Sequence, residues 1–314
     1  MVRRWLAEGG VFIALALVVL LFGLVGGPRF LSADNLELMA RHAAVVCVAA
    51  YGMTMVIASG GIDLSVGSMV ALSTVVTALL LDSGVPPAGA LAGAVLVCAT
   101  FGAVNGLLIT RLRVVPFIVT LGTMLLIRGA AKGLANERRV EAPASWLNEL
   151  MRSATGNQAF LLPWGVWATL VLGVLMAATL YYTRFGRHVF AIGSNERTAR
   201  LCGVRVDVTK VVVYVVSGAL AGVAGVMEFA KLSVGDPTVS VGLELSVIAA
   251  VIIGGGSLAG GRGTIAGTLA GAAMMTIIQV GCSQQGLPNW VQEIVTGSII
   301  VGAVALDQWR RRSS

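Results

Sequence analysis

The sequence predicts an all-α polytopic membrane protein of about ten transmembrane helices with both termini in the cytoplasm. Its 314 residues are 57% hydrophobic and only 12% charged, with a mean hydropathy of +0.89. A soluble domain carries about 25% charged residues, so this chain has too little polar sequence for a water-facing shell. Apolar stretches near the length a bilayer requires, about 20 residues, recur along the whole chain. Lys and Arg are shared unevenly between alternate loops, the asymmetry that marks a cytoplasmic side.

Ten stretches qualify, at 11–27, 43–59, 66–81, 87–109, 115–135, 161–182, 210–230, 244–256, 264–282 and 289–306. Together they make residues 1–314 a single transmembrane domain. The third and eighth are short, which calls for tilt, re-entrant geometry or cover by neighbouring helices. The first follows MVRRWLAEGG, and no small-residue cleavage site leads from it into a soluble domain. It is therefore expected to stay as a span rather than leave as a signal peptide. With the N-terminus inside, fourteen basic residues fall on the cytoplasmic side, among them Arg3, Arg4, Arg111, Arg113, Arg262 and Arg310 to Arg312. Eight fall outside: Arg29, Arg41, Arg128, Lys132, Arg138, Arg139, Arg152 and Lys231. The net charge of +7 follows from this bias and does not imply a nucleic-acid partner.

Two polar loops stand out by length. Residues 136–160 are predicted outside, with a short interfacial helix around Trp146 to Met151. Residues 183–209 are predicted inside and are strongly basic. Within them Ser194 or Asn195 can N-cap a short helix. Glu196 in its first turn and Arg200 near its end suit the dipole, and Gly203 is placed to end it. Ala199 and Cys202 give it a narrow apolar face. Such a capped helix is a docking knob or a solvated connector. Small-xxx-small pairs (Gly89/Gly93, Gly102/Gly106, Gly218/Gly222, Gly263/Gly267, Gly267/Gly271) predict close helix packing. IASGGIDLSVGSM (57–69) and IIGGGSLAGGRGTI (252–265) echo each other, a glycine cluster, a serine and a leucine between two apolar spans.

The motifs exclude several chemistries. In GGGSLAGGRGT the pattern Gly256-xxxx-Gly261 is followed by Arg262 and Gly263, so the phosphate-binding lysine of a P-loop is missing. Gly254-x-Gly256 follows a membrane span where a dinucleotide site needs a strand. If ATP drives this chain, another subunit holds it. Cys47, Cys98, Cys202 and Cys282 lie far apart, which suggests neither a disulfide framework nor a metal site, and reads as four buried thiols. His42 and His188 fall in opposite-side loops and cannot converge on a nucleophile. No catalytic constellation emerges, and no bound cofactor is expected. Asp63, Asn105, Glu228, Glu244, Gln279 and Glu293 fall within or at the ends of spans, as functional polar groups or as snorkelling and interhelical bonding partners. Glu244 opens the short eighth span, where the dipole stabilises an acid. Asp63 has no cation near it in sequence, and burying an unpaired carboxylate near lipid is costly. The charge count places it at a cytoplasmic turn, where water or a helix N-terminus can hold it and Asp63 with Ser65 can cap the third span.

GMTMVIASGGIDLSVGSMVAL (52–72), PFIVTLGTMLLIRG (116–129), GSNERTARLCGV (193–204) and VIAAVIIGGGSLAGGRGTIAGTLAGA (247–272) occur in this order. Together they resemble the permease subunits of bacterial ABC importers for ribose, xylose, arabinose and related sugars, over residues 35 to 306. The resemblance implies ten spans in the bacterial inner membrane with both ends cytoplasmic. It also implies that the 183–209 loop carries the coupling helix of an ATPase subunit. Gly193, Asn195, Ala199 and Gly203 match the family pattern there and Glu196 lies between them, while Thr198 and Val204 depart from it mildly. Further implied are a second permease subunit, identical or paralogous, ATP and magnesium on the partner ATPase, and a periplasmic sugar-binding protein.

The reading is therefore a permease subunit for a pentose- or hexose-type sugar. Gly60, Gly61, Asp63, Ser65, Asn105, Gly255, Gly256 and Ser257 are the candidates for its gate and translocation path. The alternatives are an ion-coupled secondary transporter, with Asp63 or Glu228 as the proton-coupling acid, and a membrane scaffold or channel.

Overall fold

The computed structural model describes residues 2–27, 30–153 and 162–312. Arg29, residues 154–160 of the long polar loop and the first residue of the sixth apolar stretch lie outside the described residues, as do the side chains of Arg3, Arg4 and Arg310 to Arg312. The chain folds into thirteen described helices and one two-stranded ribbon. In order these are α1 (Val2–Gly26), α2 (Ala33–Ala58), α3 (Val66–Asp82), α4 (Pro87–Leu112), α5 (Pro116–Leu134), β1 (Val140–Glu141), α6 (Trp146–Glu149), α7 (Trp164–Tyr182), α8 (Arg184–Ser194), α9 (Glu196–Leu201), α10 (Val206–Leu232), β2 (Val234–Gly235), α11 (Leu243–Ile253), α12 (Ile265–Gln284) and α13 (Asn289–Arg312).

A helix lies on each of the ten apolar stretches, and six are long and apolar enough to cross a membrane: α2, α4, α5, α7, α10 and α12. The apolar part of α1 (Gly10–Gly26), α3 and α11 are shorter. Hydropathy misplaces some ends. Helix α2 begins ten residues before the predicted span, because Ser32 caps it through Asn35 N and Asp34 sits in its first turn. His42 therefore lies on a helix and not in a loop, and His188 likewise lies on α8.

Helices α2 and α10 form the centre, and their side chains are buried along most of their length. Glycine brings α10 close to two neighbours, α2 and α4. A Cβ on Gly52 would lie 2.8 Å from Ser217 Cα, one on Gly106 2.7 Å from Val211 Cα, and one on Gly222 2.8 Å from Val95 Cα. The Gly102/Gly106 and Gly218/Gly222 pairs are thus notches between α4 and α10, while Gly267 and Gly271 pack α12 on the backbone of Gly254 and Ala250, as expected in lipid, where packing drives association. Hydroxyls add cross-links: Thr54 Oγ1 and Thr268 Oγ1 lie 2.7 Å apart between α2 and α12, and Ser73 Oγ donates to Gly222 O at 2.7 Å. Leu17, Leu20, Leu24, Ile118, Leu125, Leu126, Val171 and Val174 are exposed on α1, α5 and α7, an apolar outer surface suited to lipid.

The first polar loop docks onto the bundle. β1 pairs antiparallel with β2, Val140 opposite Gly235. Arg139 Nε donates to Asp236 Oδ2 at 2.8 Å, and Arg128 donates to the carbonyls of Pro237 and Val239. The predicted interfacial helix is α6, held by a capping box between Ser145 and Asn148.

Candidate functional site

The second polar loop contains one more helix than the sequence suggested. Phe185, Val189, Phe190 and Ile192 give α8 an inward face, while Arg184 and Arg187 point to solvent. Asn195 then breaks the helix and caps α9, its side chain accepting from Thr198 N at 3.0 Å. Ser194, the other capping candidate, is the last residue of α8. Glu196 occupies the first turn and Arg200 the last. Gly203, at φ +82°, ends α9 in a Schellman motif: Val204 N donates to Ala199 O and Gly203 N to Arg200 O, each at 3.1 Å. Ala199 is buried against Ile192 and Val206. Cys202 is exposed, contrary to the expectation of four buried thiols, because it follows the last turn on the solvent side. The other three cysteines are buried, and no metal-binding group occurs among the described residues.

Salt bridges fix α9 to α10. Glu196 Oε2 lies 2.7 Å from Lys210 Nζ, and Arg200 bridges to Asp207 at 2.9 Å and to Glu196 at 3.4 Å. The hydrogen bond from Lys210, with Arg200 nearby, holds the Glu196 carboxyl below its usual range.

The predicted gate glycines end helices. Gly60 (φ +82°) and Gly61 close α2, with Gly60 N donating to Ile57 O and Gly61 N to Val56 O at 2.9 Å. Gly255 (φ +90°) and Gly256 close α11 in the same way, Gly255 N donating to Ile252 O and Gly256 N to Val251 O. The echo between the two segments is thus one capping motif used twice. The two junctions meet. Gly261 N donates to Ala58 O at 2.9 Å, and Gly193 packs directly on Ala58 O and within reach of Gly261 N. Gly260, at φ +85°, lies against Gly193 from the other side. Two residues after this three-way contact the chain enters the cap of α9. Gly260 and Gly261 were not among the candidates, since helix-ending and packing glycines look alike in one dimension. Ser257 is buried in the same loop, where its carbonyl accepts from Gly260 N and its own N–H donates to Arg262 O.

Asp63 is fully buried, so the expected contact with water is corrected. Nor does it cap α3: Ser65 occupies that position with helical φ/ψ and no side-chain cap bond. Instead Asp63 Oδ1 accepts from Ser65 N at 2.9 Å and from Ser65 Oγ at 2.5 Å, a local turn of the kind Asp forms with its own backbone. Asn105 Nδ2 donates to Ser65 Oγ at 2.9 Å, joining α4 to the junction. Tyr214 Oη donates to Ile62 O at 3.5 Å and Thr120 Oγ1 to the same carbonyl at 3.2 Å. Asp63, Ser65 and Asn105 therefore form one buried polar cluster that ties α4 to the α2–α3 junction, and the neighbouring Ile62 carbonyl ties α5 and α10 to it. Glu228, named with Asp63 as a proton-coupling alternative, is ion-paired: its Oε2 lies 2.7 Å from Lys231 Nζ.

These features define a polytopic helical transport subunit: a lipid-facing bundle, a capped external helix, and a glycine junction linking the two. The chain belongs to the family described as the branched-chain amino acid transport system / permease component, whose model matches residues 35–304. It is a transport subunit rather than an enzyme. It is 37% identical to the ribose import permease protein of Escherichia coli (strain K12), over 97% of this chain and 95% of that protein. It is 38% identical to the L-arabinose ABC transporter permease protein of Azospirillum brasilense, over 90% and 83%. To the D-allose transport system permease protein of Escherichia coli (strain K12) it is 34% identical, over 95% and 91%. No solved structure matches the chain.

Proposed function

We infer that this chain is the membrane-spanning subunit of an ATP-driven ABC importer, forming the path for a pentose- or hexose-type sugar. The relatives named for ribose, arabinose and allose support the sugar class. The chain crosses the bacterial inner membrane ten times with both ends cytoplasmic. It works with a second permease subunit, identical or paralogous, and with a periplasmic binding protein that selects the cargo. ATP and magnesium reside on a separate ATPase, and α9 seats in a groove of that partner.

One observation carries the mechanism: Gly193, two residues before the α8–α9 break at Asn195, is wedged between Ala58 and Gly261. Movement of the knob is transmitted through backbone, without slack, to the end of α2 and to the loop between α11 and α12. Closure of the ATPase dimer displaces α9, shifts that three-way contact and opens the path near Asp63. The reading is tested in proteoliposomes holding the complex, with labelled D-ribose, L-arabinose and D-allose. Import of one of them requires internal ATP and external binding protein, and survives a protonophore while ATP is held constant. Import that the protonophore abolishes under those conditions supports the ion-coupled alternative instead.

A further inference from the structure

A cavity of about 800 Å³ opens among α2, α10, α11, α12 and the first half of α13, away from the glycine junction. Its size lies within the range of small-molecule sites, roughly 300–1,000 Å³. Its walls carry His42, Glu228, Lys231, Ser246, Gln279 and Thr296. The hydrogen-bonding groups are of both kinds, donors and acceptors, and they come from five different elements. Gln279 Nε2 donates to Ser246 Oγ at 3.1 Å, a bond that leaves the amide carbonyl, the second amide N–H and the serine O–H unused.

The charges speak against an anion. Lys231, the cation on the wall, is held by Glu228 at 2.7 Å. The N-terminus of α11, the other positive feature, carries Glu244 in its first turn. Glu293, at the exposed part of the wall, adds a carboxylate and no cation, so the cavity has hydrogen bonds to offer but no free positive charge among its described lining. We propose that this intrasubunit cavity, between α2, α10, α11, α12 and α13, is an entry vestibule for a neutral polyhydroxylated solute. The proposal rests on the importer reading above. It adds that each single chain, and not only a junction between two chains, receives the cargo.

The experiment fills the vestibule after folding. Thr296→Cys is made in a chain carrying Cys202→Ser and Cys282→Ala, and the assembled complex is treated from outside with a membrane-impermeant trimethylammonium-ethyl thiosulfonate. Import of labelled D-ribose, L-arabinose and D-allose is expected to fall at least ten-fold on labelling and to recover on reduction with dithiothreitol. Thr296→Trp, purified with its ATPase, should show the same loss. Complexes that are labelled at Thr296→Cys, or that carry Thr296→Trp, and import as the untreated protein does overturn the vestibule alone. An unmodified complex that imports none of these sugars with ATP overturns the importer reading, and the vestibule with it.

Discussion

Gly261 N donates to the carbonyl oxygen of Ala58 at 2.9 Å, so two segments 203 positions apart share one backbone hydrogen bond at the end of α2. Gly193 closes the third side of this contact. A Cβ at Gly193 would overlap Ala58 O and lie 2.5 Å from Gly261 N. Gly193→Ala is therefore expected to push the three segments apart, at a cost of about 1–3 kcal/mol. ATP-driven import should drop by an order of magnitude, measured in complexes that still contain the ATPase.

The Asp63 cluster separates a structural from a proton-coupling carboxylate. Asn at this position keeps an oxygen for Ser65 N and Oγ, whereas Ala leaves buried donors unpaired. Asp63→Ala should cost about 1–3 kcal/mol, seen as a lower thermal unfolding midpoint in detergent. Asp63→Asn should keep ATP-dependent import within a few-fold. Loss of coupling in the Asn variant with exchange intact would contradict the structural role.

The caps of α9 test its proposed docking to the ATPase. Asn195→Ala removes the bond to Thr198 N and should cost about 1 kcal/mol, while Asn195→Asp retains it. Gly203→Ala forces a left-handed residue, at about 1–2 kcal/mol. Both destabilising variants should release the ATPase at lower salt in co-purification, and the Asp variant should not.

The ribbon end has a pH signature. Burial pushes the Asp236 carboxyl up, but the hydrogen bonds from Thr238 and Arg139 outweigh it and hold the group below its ordinary value. A carboxylate depressed by folding stabilises above its unfolded pKa, and that contribution is lost as pH falls through the folded one. The amide-exchange protection factors at Val140 and Val234, taken relative to the intrinsic rate at each pH, should thus be constant above about pH 5 and fall below about pH 4, the reference range for Asp. Arg139 is largely exposed, so Arg139→Ala should shift this onset only slightly.

The architecture was legible where one residue type has one use. Long apolar runs located ten helices, and Asn195, Glu196 and Gly203 located α9, because caps follow local backbone chemistry. Helix α8 was missed because its basic face dominates the composition, although Phe185, Val189 and Ile192 recur at helical spacing. The glycines were ambiguous for a physical reason. Gly60 and Gly255 are needed for positive φ, Gly193 for close approach, and only three-dimensional neighbours tell these apart. The wall of the cavity has no motif at all, since Glu228, Gln279 and Thr296 meet only after the bundle closes.

The bridges from Glu196 and Arg200 to Lys210 and Asp207 make α9 a handle on α10. Helix α10 has 27 residues, about 40 Å at 1.5 Å per residue. Its far end carries Ser233 and β2, the strand that grips the other polar loop. The molecule thus has a rod running from one surface to the other, locked at both tips. A torque applied to the handle would act on the same helix that ends in β2, whether or not the glycine junction moves. Two mechanical lines therefore leave the same knob: one ends inside the bundle, and the other reports across it.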